Sequence, residues 1–443
     1  VGLGPVLLLA QPGVATSQPA ETLTVQRAIE LTLERNLQLG ILNVQKKGAE
    51  YDHLQSKLDY IPSANAGANM SFNYGALFIQ GIELSNNNNN FNTSLSFSTP
   101  IIQGLAKYYT LKATKNTIDI RQKSIERVAN ELLTNLLTQY LNIAVLQSNR
   151  AIIDNRIALL TRQLARLEQL FAAGTVTRFQ VLSVKSQLAA EEVNVVNNTN
   201  QIQNAELAIL QFIQADARKS YVIQVPDSSV LQNETYPLPE LRAVQEQALA
   251  TLPQIKERAL QVEQARWQTR LAKSNLYPSL SLSYAPSTNY SNATGFGNPA
   301  GPGPFFTQLD RNKAQSVNFR LNIPIFNGWR VQNQIRQARL GELVAGLNLK
   351  QTENQLLLEV QQAYQNVLQA EARKRSLREQ LASSAEAFQM AEVQFAAGTI
   401  QFVGYLEALN NKTIAEQQLL QAKFDWFFRT KLLDVYQGKE VRF

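Results

Sequence analysis

The sequence predicts a mixed fold, mainly α with β, built as two tandem helix-strand-strand-helix-helix repeats. Three observations predict it: two long blocks free of proline, a self-similarity at a fixed offset, and short stretches where the apolar period drops from helical to two. All fifteen prolines lie outside residues 101 to 225 and 325 to 443, and in the first block only Gly104 and Gly174 interrupt the pattern. A helix from Gly104 to Ala172 would be roughly 100 Å long at 1.5 Å per residue, far more than a compact domain uses. Leu111, Ile118, Ile125 and Leu132 are seven apart, which gives a narrow apolar seam for packing in a left-handed coil.

The self-similarity sets the boundaries. Phe171-Ala172-Ala173-Gly174-Thr175 recurs as Phe395-Ala396-Ala397-Gly398-Thr399, 224 positions later, and the same offset carries Pro100 onto Pro324 and Leu111, Ile125 and Leu132 onto Ile335, Leu349 and Leu356. Upstream the offset is 216, carrying Pro62-Ser63 onto Pro278-Ser279. The expected division is residues 1–21 as a leader remnant or flexible tail, 22–219 as the first repeat, 220–239 as a linker with a strand from Tyr221 to Val225, 240–437 as the second repeat, and 438–443 as a tail. Val6 to Ala10 followed by Ala15 to Ala20 reads as the end of a secretory signal peptide. The asparagine run Asn86 to Asn90 and the Gly/Pro-rich stretch Gly295 to Pro304 read as exposed flexible loops.

The strands have one apolar and one polar face. Ala64, Ala66, Ala68, Met70, Phe72 and Tyr74 alternate with Ser63, Asn65, Gly67, Asn69, Ser71 and Asn73, and Phe91, Thr93, Leu95 and Phe97 alternate with Asn92, Ser94, Ser96 and Ser98. In the second half Leu280, Leu282 and Tyr284, then Val317, Phe319, Leu321, Ile323 and Ile325, repeat the alternation. This suits a membrane barrel with a wet lumen and equally a soluble sheet with one wet face. Four strands cannot close a barrel, which takes about eight, so membrane embedding requires oligomerisation, and a trimer would supply twelve. Phe72, Tyr74, Phe91, Tyr277, Tyr284, Phe305, Phe306 and Trp329 lie at strand ends or loops, as interfacial girdles do and as ordinary core packing would equally place them.

Composition narrows the function. Of 443 residues 44% are hydrophobic and 17% charged, which predicts a folded chain. The net charge of +7 is scattered along helices without a basic run, so nucleic acid is not an expected partner. With no cysteine, disulfides and thiolate chemistry are excluded, and anchoring through an acylated N-terminal cysteine is not expected. His53 is the only histidine, read as a solvated side chain, and no zinc site or Ser/His/Asp triad can be assembled around it without further partners. Glu191 and Glu192 read as surface charges on a helix. Neither a Walker loop nor a strand-linked Gly-x-Gly-x-x-Gly occurs. No enzymatic activity and no cofactor are expected.

Two repeats of helix, hairpin and helical pair, each with a Phe-Ala-Ala-Gly-Thr turn, resemble the TolC-like outer-membrane efflux proteins of Gram-negative bacteria over residues 22 to 437. The resemblance implies a homotrimer with a 12-stranded barrel among outer-membrane lipid, continued by a long α-helical periplasmic tunnel with an equatorial belt that takes in 220–239. It implies a passive exit duct of a tripartite efflux or type I secretion system, meeting a periplasmic membrane-fusion adaptor and, through it, an inner-membrane pump of RND or ABC type. Gly174, Thr175, Val176, Gly398, Thr399 and Ile400 become the exposed periplasmic tip for adaptor docking. The aperture falls after the second turn, where Gly404 and Ile400 stand in place of the family's acid and arginine. Gln401, Gly404, Glu407 and Asn411 then mark the aperture, with Gln180, Ser183 and Gln187 as the uncharged counterpart. A threefold axis would make Glu407 a ring of three carboxylates. A soluble coiled-coil spacer and a membrane-fusion adaptor are the alternatives, the first failing to explain the hairpins and the second calling for a small lipoyl-like β domain flanking one helical hairpin, whereas this chain repeats two helical pairs.

Overall fold

The computed structural model describes residues 21–79, 82–85, 87–216, 219, 221–224, 236–293 and 303–439. The leader remnant up to residue 20, the stretch 225–235, residues 295–302 of the glycine-rich loop and the last four residues lie outside the described residues. In chain order the elements are β1 (Glu21–Leu23), α1 (Val25–Arg35), α2 (Leu37–Leu58), β2 (Ser63–Asn73), β3 (Ala76–Ile79), β4 (Ile82–Ser85), β5 (Asn88–Gln103), α3 (Ala106–Ala172), α4 (Arg178–Phe212), β6 (Tyr221–Ile223), α5 (Leu241–Thr251), α6 (Pro253–Ser274), β7 (Ser279–Ser291), α7 (Phe305–Arg311), β8 (Ala314–Asn322), α8 (Arg330–Ala396) and α9 (Phe402–Tyr436). Both ends of α8 and α9 fall 224 positions after those of α3 and α4, and both ends of α5 and α6 fall 216 after those of α1 and α2. The duplication is therefore structural to the residue.

The chain divides into two compact units, each drawing on both repeats: one of residues up to 41, 125–252 and from 353 on, the other of 42–124 and 253–352. In the first, β1 and β6 pair in parallel, Leu23 opposite Ile223. Leu23, Leu31, Leu136, Ile143, Ile209 and Ile213 bury their side chains completely or nearly so around that pair. The Tyr140 hydroxyl lies 3.3 Å from the carbonyls of both Leu23 and Thr24, which already accept from the Gln224 and Ala28 amides, so the buried phenol finds its acceptor in backbone oxygens with a lone pair to spare. Of the heptad seam on α3, Leu132 is buried and Leu111, Ile118 and Ile125 are half-buried.

The second unit holds a four-stranded antiparallel sheet in the order β2-β5-β7-β8. Its register aligns one chemistry per face. Ser63 stands opposite Ser98, Ser98 opposite Ser283 and Ser283 opposite Asn318, whereas Ala64 stands opposite Phe97, Phe97 opposite Tyr284 and Tyr284 opposite Val317. Because side chains alternate with period two, this alignment makes one face mainly serine and asparagine, with Gly67, Pro100, Ala285 and Ala314 among them, and the other mainly apolar, with Asn89, Gln315, Thr93, Thr99 and Thr288 as its polar members. The outer strands β2 and β8 each pair on one side only. Among the described residues no helix is long and apolar enough to cross a membrane.

Three expectations change. The asparagine run is not a loop from end to end: Asn88 to Asn90 belong to β5, opposite Asn73, Phe72 and Ser71, and Asn73 Nδ2 donates to Asn88 Oδ1 at 2.8 Å. Cross-strand amide bonds offset the weak strand propensity of asparagine. The first repeat carries an extra hairpin, β3 with β4, and the second carries α7 in the corresponding connection. His53 is not simply solvated. It is half-buried, and its Nδ1 lies 3.0 Å from Thr114 Oγ1, joining α2 to α3 beside the buried Ser56.

At each strand-to-helix corner two successive residues take positive φ: Gly104 and Leu105, and 224 positions later Gly328 and Trp329. The glycines differ in surroundings. A Cβ on Gly104 would lie 2.3 Å from the Ser274 carbonyl oxygen and 2.8 Å from Tyr277 Cβ, while one on Gly328 would meet open space. Gly328→Ala should therefore cost only the left-handed backbone penalty of about 1 kcal/mol. Gly104→Ala should cost about 1–3 kcal/mol more because backbone must move, a difference readable in thermal unfolding followed by helical circular dichroism. Burial, aided by Lys57 and Lys115, lowers the His53 pKa below its ordinary value. The unfolded chain thus binds the proton more readily, so stability is full above about pH 6.5 and declines as pH falls toward the lower folded value. In His53→Gln this part of the acid-side slope in melting temperature should vanish.

Candidate functional site

Each long helix reverses through the same five-residue turn. Gly174 has φ +72° and Gly398 +73°, a conformation that glycine adopts without a Cβ penalty. The Gly174 amide donates to Phe171 O at 3.0 Å and the Thr175 amide to Leu170 O at 3.0 Å; Gly398 and Thr399 repeat this with Phe395 at 3.1 Å and Gln394 at 2.9 Å. This 5→2 and 6→1 pairing closes the last carbonyls of α3 and α8. The threonine hydroxyls add a bond each to the same carbonyls of Leu170 and Gln394. Thr177 then starts α4, its amide donating to Gln180 Oε1 at 3.1 Å.

Gly174, Thr175, Gly398 and Thr399 are exposed, but Val176 and Ile400 are half-buried. The expectation that these last two stand free for a partner is corrected. Val176 packs on a cluster of Leu160, Leu167, Val184, Phe388, Phe402, Tyr405, Leu406 and Leu409, and Ile400 Cδ1 lies where a Cβ on Gly404 would come within 2.9 Å. Apolar side chains next to a tight turn fold back over it because the core below offers apolar cover. Exposed apolar residues near the turns include Phe179 and Val403, 68% and 60% accessible, equivalent residues in the first turns of α4 and α9. Sequence reading passed over them, although the 224 offset that pairs the glycines also pairs these two.

Aromatic rings pack together in the cluster beneath the turns. Phe395 stacks on Tyr405 at 5.1 Å and lies 5.6 Å from Phe402, and Phe388 lies 5.7 Å from Tyr405, so aromatic rings hold α8 against α9. On α9, Gln401, Glu407 and Asn411 are exposed and Gly404 half-buried; on α4, Gln180, Ser183 and Gln187 are half-buried. The α9 face thus has an open carboxylate and the α4 face none. Gln180 is occupied as the cap of its own helix.

One polar node was misread in the sequence. Glu191 is buried, not a surface charge, and its Oε1 lies 3.0 Å from Arg156 Nε of α3; the alignment is poor for a hydrogen bond, and the contact is ionic. Arg156 also donates through Nη2 to Asn410 Oδ1 of α9, and Asn194 donates to Glu191 Oε2 at 3.1 Å. Three helices therefore meet on one ion pair. Spacing alone could not pair positions 35 apart on two helices whose relative register was unknown.

A model of the family described as outer membrane efflux protein matches residues 28–213 and 244–427. The chain belongs to that family. Among curated relatives, the outer membrane protein TolC of Escherichia coli (strain K12) is 22% identical over 434 residues, covering 95% of this chain and 83% of TolC. Among solved structures, the Campylobacter jejuni CmeC outer membrane channel superimposes with a TM-score of 0.77 at 16% identity, over 94% of this chain and 85% of that one. The open state of the Neisseria gonorrhoeae MtrE outer membrane channel gives 0.74 at 15%, over 94% and 88%. The protein is an outer-membrane efflux channel, and the alternatives of a soluble spacer or an adaptor fall.

Removing one partner of the buried pair strands the other charge. Glu191→Ala should destabilise the helical unit by about 3–5 kcal/mol, and the double variant Arg156→Leu with Glu191→Leu by clearly less. Thermal melting of the two proteins in detergent compares them directly.

Proposed function

We propose that this efflux channel acts as a homotrimer, each protomer giving four strands to a twelve-stranded barrel in the outer membrane and its long helices to a periplasmic conduit. The observation that carries the reading is the sheet: one face apolar, one face polar, and two edges, β2 and β8, without a neighbour. In a bilayer an unpaired edge is untenable, since every backbone N–H and C=O without a partner costs several kcal/mol, and joining β8 of one protomer to β2 of the next removes all edges at once. Exposed apolar residues at coiled-coil spacing support the same assembly, with Val44, Tyr51 and Leu58 on α2 and Leu340, Val344, Leu347 and Leu358 on α8 needing cover from another copy.

The paired turns at Gly174 and Gly398, with Thr175 and Thr399, form the periplasmic tip that receives a membrane-fusion adaptor, and Phe179 and Val403 supply its apolar contact. Val176 and Ile400 support that surface from beneath. The channel itself performs no chemistry and uses no cofactor: the energy comes from an inner-membrane pump of RND or ABC type reached through the adaptor. Glu407, exposed on the α9 face with Gln401, Gly404 and Asn411, becomes a ring of three carboxylates at the aperture, opposite the neutral Gln180, Ser183 and Gln187.

Purified in detergent, the protein should have a protein mass of three times 49.5 kDa and should insert into planar bilayers with stepwise conductance. A protomer mass without conductance would overturn the trimer. Glu407→Ala should lower the preference for cations, by a shift in reversal potential that grows as salt is reduced. An unchanged reversal potential at low salt would remove Glu407 from the aperture and leave the trimer standing.

A further inference from the structure

The four strands of the sheet contain a single charged residue, Arg320 on β8. The register places it on the polar face, opposite Ser281, with Asn318 and Asn322 two residues away along its own strand and Ser283 and Ser279 opposite those. Its neighbours on the other parity, Phe319 and Leu321, lie on the apolar face opposite Leu282 and Leu280. Arg320 is exposed, and it has no ionic partner among the described residues. No carboxylate occurs in β2, β5, β7 or β8, so the sheet of an adjoining copy offers none either. An unneutralised guanidinium among serine and asparagine hydroxyls and amides does nothing for the packing of this sheet. It is placed where water and solute pass.

We propose that Arg320 forms a ring of three positive charges in the barrel lumen that draws anions through the outer-membrane end of the channel, favouring chloride and solutes bearing carboxylate, sulfonate or phosphate groups. The proposal rests on the trimeric reading above. Three fixed charges of one sign, between walls of low dielectric and with no fixed negative charge on the strands, concentrate counter-ions within a Debye length of the ring. That length is about 30 Å at 0.01 M salt and about 3 Å at 1 M, so the preference belongs to dilute salt. Because the arginine side chain stays protonated at any working pH, the ring does not titrate, which separates it from a carboxylate ring elsewhere in the channel. The opposite orientation would put the guanidinium against lipid, at a cost of about 2–4 kcal/mol near the bilayer centre.

The chain has no cysteine, so a single introduced thiol can be addressed without background. The full-length protein, wild type and Arg320→Gln, is compared in planar bilayers under a KCl gradient, and trimer mass is checked for each. At low salt the chloride-to-potassium permeability ratio of Arg320→Gln should fall about threefold or more, independently of pH between about 5 and 8, and the difference should disappear near 1 M. Arg320→Cys should react with water-soluble methanethiosulfonates in the assembled trimer, a cationic reagent restoring the wild-type ratio and an anionic one lowering the ratio further. Phe319→Cys should resist the same reagents. Trimers with stepwise conductance whose ratio at low salt is indifferent to Arg320→Gln, or whose thiol at 320 is unreactive while that at 319 reacts, would overturn the ring and leave the trimer intact. A protomer mass with no conductance would instead overturn the trimer and the ring with it.

Discussion

A peptide group moved from water into hydrocarbon must find its hydrogen-bond partner inside the protein, and the rest of this molecule follows from that requirement. The sheet β2-β5-β7-β8 satisfies its interior ladder and leaves two edges. A chain with too few strands to close on itself would meet the requirement by joining copies of itself, as in the trimer proposed above. The separation of faces, mainly serine and asparagine on one side and mainly aliphatic or aromatic residues on the other, suits a sheet with lipid on one face and water on the other.

Duplication lets one solution serve twice. The helices of the two halves begin and end at corresponding residues, and the turns at Gly174 and Gly398 share φ values and hydrogen bonds. What differs between the halves is where specificity can reside. Gln180 caps its helix, while its counterpart Gly404 leaves room for Ile400 to fold back over the helix and the face beyond it to carry Glu407. Gly104 is gripped by the Ser274 carbonyl, while Gly328 stands free. Repetition fixed the frame, and divergence fell on residues that the frame does not need.

The polar face of the four strands is neutral except for Arg320. Glu407 on a helix is exposed, Arg320 on a strand is exposed among serine and asparagine, and the proposed trimer would multiply each by three. The ion pair of Arg156 with Glu191 shows the contrasting use of charge, buried and matched, joining helices instead of meeting solute.

The sequence by itself determined the repeats, the long helices, the four main strands with their faces and the two glycine turns, because each rests on periodicity or backbone sterics, which act over a few residues. It also pointed to the family through the repeated Phe-Ala-Ala-Gly-Thr. Only the tertiary structure decided that Val176 and Ile400 turn inward, that Glu191 is buried against Arg156, that His53 bonds Thr114, and that the asparagine run continues a strand. Each of these depends on which segment lies across from which. Burial and pairing are properties of two surfaces brought together, and a linear pattern describes only one of them.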